Sequence, residues 1–121
     1  MSYCIYCGVP YGDQRDHVIP ASFLSFRRNF ASGEIVPSCG ECNNTLGSKV
    51  ITSVKERAAY LVGRYELKYR KMLQLPEWEN WELEEMSESF QKTIKRNQIE
   101  KEIIQERLLN LRLQAGFISL D

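Results

Sequence analysis

The stretch Ser38-Cys39-Gly40-Glu41-Cys42-Asn43-Asn44-Thr45-Leu46-Gly47 decides how this chain is read. Ser38 followed three residues later by Glu41 has the spacing of a capping box, so a helix is expected to start at Cys39. Cys42 and Asn43 then fall in its first turns, and Gly47 ends or interrupts it. A second Cys-x-x-Cys pair, Cys4 and Cys7, lies on a tight turn within Tyr3 to Val9, where Gly8 supplies backbone freedom just after Cys7. Four cysteines in a 121-residue chain admit two disulfides. Two C-x2-C pairs with 31 residues between them fit a tetrahedral zinc ion better, each turn presenting two thiolates to one cation. A zinc site implies a reducing compartment. Four thiolates leave no open coordination position, so this metal is expected to be structural and any catalytic metal to sit elsewhere.

Between the two pairs stands the only histidine of the chain, His17, directly after Asp16. Gln14 to Pro20 carries β-branched Val18 and Ile19 and reads as a short strand ended by Pro20. Phe23, Phe26, Arg27 and Phe30 recur at helical spacing, so Ala21 to Phe30 is expected to make a turn or two of helix before Gly33. Glu34 to Pro37 is a second strand candidate leading into Cys39. A single imidazole restricts the chemistry: a base titrating near neutral pH is His17, or else an unusually perturbed carboxylate or lysine. Phosphodiester hydrolysis needs an activated water and a cation to neutralise charge on the phosphorane. A hard divalent ion such as Mg2+ or Mn2+ takes oxygen ligands, which Asp16 and the Asn43 amide can supply while His17 accepts the water's proton. Ideal strand geometry turns Asp16 and His17 to opposite faces, so the pair is expected at a strand end, where the backbone leaves the pleat.

The net charge is zero, with 16 basic and 16 acidic residues, but the distribution is uneven. Residues 1–75 hold ten Lys/Arg and six Asp/Glu, a net of +4, whereas residues 76–121 hold six and ten, a net of −4. The basic excess belongs to the half that carries the motifs. Arg15, Arg27, Arg28, Lys49, Lys55 and Arg57 flank the candidate site, and Arg64, Lys68, Arg70 and Lys71 extend the basic character. Arg15, Arg27, Arg28 and Lys49 are the expected contacts to a nucleic-acid phosphate backbone, of the salt-dependent, sequence-tolerant kind. No sequence-reading module is visible.

Pro76 marks the change of composition, so residues 1–75 read as one unit and 76–121 as a helical extension. Ser53 with Glu56 repeats the capping signature for a helix running to about Gln74, with Val54, Ala58, Leu61, Tyr65, Tyr69 and Met72 on its apolar face. From Glu77 to Ala115 there is neither Gly nor Pro; Ile99, Ile103, Ile104, Leu108 and Leu111 lie near one face, and Gly116 is the expected stop. That face suits packing on the preceding helix, self-association or a protein partner, and Trp78 and Trp81 suit a helix start or an interface. No secretory leader or membrane-length apolar run is visible, so a soluble cytoplasmic protein is expected.

The order Cys4-x-x-Cys7, Asp16-His17-Val18-Ile19-Pro20, then Cys39-x-x-Cys42-Asn43 resembles the HNH endonuclease family in its zinc-knuckle form. Cys42-Asn43-Asn44-Thr45-Leu46-Gly47-Ser48-Lys49, with Glu56-Arg57 beyond it, is similar to small HNH proteins of phages and prophages. The likeness spans roughly residues 3 to 70. It implies an α+β protein with a ββα-metal core and a four-cysteine zinc knuckle, followed here by two longer C-terminal helices, in a bacterial or phage-infected cell. It also implies a metal-dependent DNA endonuclease or nickase leaving a 5′-phosphate and a 3′-hydroxyl. In it His17 is the general base, and Asp16 and Asn43 bind the catalytic Mg2+ or Mn2+. The family's central asparagine corresponds to Glu34, which accepts but cannot donate when ionised. Glu34 is expected to pair with Arg15 or Arg27, to approach the cation, or to be a solvated carboxylate. The alternative function is a non-catalytic zinc-knuckle protein that binds nucleic acid or serves as an adaptor.

Overall fold

The computed structural model describes residues 2–18 and 35–119. The helical segment expected over residues 21–30, and Arg27, Arg28 and Glu34 with it, lie outside the described residues. The architecture is α+β. Strands β1 (Gln14–His17) and β2 (Ile35–Ser38) form a two-stranded antiparallel sheet, with Gln14 opposite Ser38 and His17 opposite Ile35. Five helices follow: α1 (Gly40–Leu46), α2 (Val54–Lys68), α3 (Arg70–Leu73), α4 (Asn80–Glu84) and α5 (Glu88–Ala115).

The N-terminal turn closes as its residues dictate. Gly8 donates to the Cys4 carbonyl at 3.0 Å and sits at φ 80°, a left-handed conformation that glycine adopts without strain. Gly12 answers a different need, close approach: a Cβ there would lie 2.6 Å from the backbone of Tyr3. Ile5 donates to the Pro37 carbonyl at 2.9 Å, which fastens this turn to β2. Pro37 has no N–H to give, and a two-stranded sheet leaves room for such a residue.

Helix α1 starts one residue later than the capping box suggests. Its N-cap is Cys39, whose sulfur accepts from the Cys42 N–H at 3.4 Å, while the Ser38 hydroxyl turns to the Cys39 carbonyl at 3.0 Å. A thiol placed to serve a metal also satisfies an otherwise orphaned helical N–H, so the serine is not needed there. The second capping signature behaves as expected, since Ser53 Oγ accepts from the Glu56 N–H at 3.1 Å. The predicted helix to Gln74 is split at Tyr69 into α2 and α3.

Helix α5 is the longest element, 28 residues, capped by Ser87 and stopped by Gly116. It packs along α2 with Ile104, Leu108, Leu111 and Ala115, facing Ala58, Leu61, Val62 and Tyr65 in one continuous core that also includes the cysteines. Ile99 and Ile103, expected on the apolar face, are instead exposed. The buried row runs through Ile104, Leu108, Leu111 and Ala115, and each four-residue step back from Leu111 through Arg107 drifts by about 40°, which carries residues 103 and 99 outward. No helix among the described residues is long and apolar enough to cross a membrane.

Leu111 is completely buried and Ile103 is half exposed. Leu111→Ala should therefore cost about 2–5 kcal/mol of stability in chemical denaturation, and Ile103→Ala less than about 1 kcal/mol.

A candidate metal centre and its neighbouring histidine

The four sulfurs converge. Cys4, Cys7, Cys39 and Cys42 are all buried, none is in a disulfide, and their Sγ atoms lie within 4.8 Å of one another. Cys7 and Cys39 are 3.7 Å apart. A disulfide would need about 2.0 Å. A zinc ion with Zn–S bonds of about 2.3 Å predicts an edge of about 3.8 Å in a regular tetrahedron, so the spacing suits four thiolates around one ion. Sequence placed two of these ligands on the N-terminal turn and two at the start of a helix, and the fold brings them together as expected.

The four thiols lie close enough to shift one another's protonation. Hydrogen bonding with Cys39 holds Cys4 far below, and Cys7 down at about 6, against the usual thiol range. Hydrogen bonding with Cys4 pushes Cys39 up, and hydrogen bonding with Cys39 pushes Cys42 up. A dication removes this competition by letting all four ionise.

Side chains from the helices surround the thiols, and sequence reading passed over them. Tyr65 on α2 donates its hydroxyl to Cys42 Sγ at 3.1 Å; burial and the adjoining Cys42 charge hold the phenol protonated. Arg107 on α5 lies 5.0 Å from the Tyr65 ring centroid and pairs with Glu41 at 2.7 Å. Burial works against its charge, but Cys7 and Glu41 outweigh it and keep Arg107 protonated. Burial likewise opposes ionisation of Glu41, yet Lys68, Tyr69 and Arg107 together hold its carboxyl below the usual range. Four thiolates on a dication would carry net negative charge, and Arg107 is placed to offset part of it inside the core. Asn110, one turn further on, donates to the Tyr6 carbonyl at 2.6 Å and secures the N-terminal turn. The missed signal was positional: Arg107 falls within the apolar stripe of α5, where a solvated arginine would not be expected.

Asp16 and His17 diverge. The strand keeps its pleat through His17, so Asp16 points inward, 3 % exposed, while His17 is exposed on the other face. The expectation that both turn toward one site is not met. Arg57 on α2 binds the Asp16 carboxylate through both oxygens, Nη2 to Oδ1 at 2.7 Å and Nε to Oδ2 at 3.0 Å. The Tyr6 hydroxyl also donates to Oδ2. Arg57 then spends Nη1 on the carbonyls of Val18 at 3.2 Å and Ile51 at 2.8 Å. Expected among the residues flanking the site, Arg57 is instead 1 % exposed and available to no phosphate. It grips the chain on both sides of His17, through the Asp16 side chain and the Val18 carbonyl.

Asn43 donates through Nδ2 to Gln14 Oε1 at 2.8 Å, which ties the first turns of α1 to β1. Asp16 and Asn43 thus have different partners, and Asp16 as arranged does not offer an oxygen to a divalent cation. Arg15 is exposed beside a shallow cavity between the β-ribbon and Tyr11, and Lys49 is exposed beside a separate one between α1 and α2. Comparison with protein-family models, curated proteins and solved structures finds no match to the chain.

Tyr65→Phe keeps the ring but removes the donor to Cys42, and should weaken zinc binding about tenfold or more in chelator competition. Cys39→Ser, or stripping the metal, should unfold residues 1–50, read as loss of amide-exchange protection there. Asp16→Ala leaves Arg57 charged and buried without its partner and should cost about 3–5 kcal/mol, whereas His17→Ala should melt like the parent.

Proposed function

We propose that this chain is a zinc-stapled, metal-dependent DNA endonuclease or nickase of the HNH type, with His17 as the general base. The observation that carries this reading is the setting of His17. The only imidazole in the chain stands exposed at the end of β1, with Arg57 holding the Asp16 side chain before it and the Val18 carbonyl after it. Strand β2 and then α1 bearing Asn43 follow in the order that a ββα-metal core requires. Imidazole is the side-chain type best suited to general-base work on water, and exposure lets His17 meet a substrate as large as a duplex. Rigid attachment matters as much as basicity, because a base displaced by an ångström loses most of its effect.

A divalent cation, when bound, would supply charge for the phosphorane. The described arrangement does not fit the expected ligand pair, since the Asp16 carboxylate is occupied by Arg57 and Tyr6. That occupation favours a second reading, a non-catalytic zinc-knuckle protein that binds nucleic acid or serves as an adaptor. The cysteine cluster, in either reading, holds zinc as a staple.

Incubation of supercoiled plasmid with the zinc-loaded protein and Mg2+ or Mn2+ separates the two. The nuclease reading expects nicked or linear product, and a loss of about a hundredfold or more with His17→Ala at unchanged melting temperature. No conversion by the parent, or equal cutting by His17→Ala, leaves the binding or adaptor protein. Asp16→Ala is a poor control, because its loss of activity would follow from loss of the Arg57 pair.

A further inference from the structure

Helix α2 carries two faces of different purpose. Arg57, Leu61 and Tyr65 repeat every four residues and are buried. Tyr60, Arg64 and Lys68 repeat at the same interval along a neighbouring stripe, and together with Lys49 and Asn44 they line a cleft of about 620 Å3 between α1 and α2. No carboxylate among the described residues lines it, in a chain with as many acidic as basic residues. Lys49 Nζ lies 5.5 Å from the Tyr60 ring centroid, so the ring holds the ammonium at the cleft. Lys68 gives one bond to Glu41, at 2.6 Å, but Glu41 also serves Arg107 and Tyr69 and so compensates no single cation fully. Arg64 is exposed and makes no ion pair among the described residues.

We infer that this cleft is a track for the phosphate backbone of duplex DNA, with Lys49 and Arg64 as its principal contacts. The choice of DNA rests on the nuclease reading above; the charge and shape stand apart from it. Arg64 and Lys68 are one helical turn apart, about 6 Å along the axis, and Lys49 approaches from the other wall. Cations spread along an open groove suit a polymer of regularly repeated charge, whereas a single small anion is held by donors that converge. Arg15, exposed beside a different cavity, is not part of this track.

The test uses the full-length, zinc-loaded protein and a short fluorescent duplex, without added divalent cation, so that binding is read and cleavage is not. Lys49→Gln with Arg64→Gln should weaken binding about tenfold and reduce the slope of log affinity against log salt by about two. Lys92→Gln with Lys95→Gln removes the same charge from exposed positions on α5 and should change affinity less than about twofold. Arg64→Lys, which keeps the charge, should retain most of the binding and covers the case in which the double variant folds poorly. Parent-like binding by the Lys49/Arg64 pair, equal losses in both pairs, or loss with Arg64→Lys as deep as with the double variant would each overturn the track. Plasmid cutting is scored separately. Track-dependent binding without cutting sinks the nuclease and keeps the track, and cutting with track-independent binding does the reverse.

Discussion

Four thiolates around one point are the constraint from which the rest of the molecule is arranged. Such a cluster is self-repelling unless a cation sits within it, and even then it leaves net negative charge in an apolar interior. The chain meets that demand from every side. The N-terminal turn and the β2–α1 junction supply the sulfurs, α2 supplies a phenol to Cys42, and α5 supplies a buried guanidinium facing the cluster. The core of a chain this small is modest, and the cysteines and the leucines of α5 lie in one contiguous cluster within it.

A second buried charge holds the sheet in place. Arg57 has hydrogen-bond partners for all three of its nitrogens and meets Asp16, Tyr6, Val18 and Ile51, four residues from three separate stretches of chain. A lysine there would offer a point charge with different geometry and could not bridge a carboxylate and two carbonyls in one plane. Asp16 therefore has a clear structural role in this arrangement, and His17 gains a fixed backbone from it. Adjacent residues differ in environment: Asp16 is committed to the interior and His17 is left exposed to solvent.

What could be read from sequence was what local spacing encodes. The C-x2-C pairs, the Ser53 cap, the stops at Gly47 and Gly116 and the two short strands all rest on neighbours within a few residues, and all recur in the structure. Contacts between distant stretches left no such trace. Arg57 looked like one more surface cation because its partners, Asp16 and Tyr6, lie 41 and 51 residues away. Arg107 was hidden in the same way. On α5 Ile104, Leu108 and Leu111 take the buried face expected of them, while Ile99 and Ile103 turn outward and Arg107 takes a place inside beside the cysteine cluster. Asp16 and His17 stand at the end of a strand as expected, yet the pleat still holds through His17 and turns the two side chains to opposite faces.

The hydrogen bond from Asn110 to the Tyr6 carbonyl joins residues 104 positions apart. During synthesis the first cysteine pair leaves the ribosome long before Arg107 and Asn110 exist, and the second pair precedes them by more than 60 residues. The thiols must remain reduced and unpaired with each other over that interval, and a metal captured early would sit in an open, exchangeable site. Only when the last long helix emerges does the centre become enclosed, so a nascent or truncated chain should exchange its metal far faster than the finished protein.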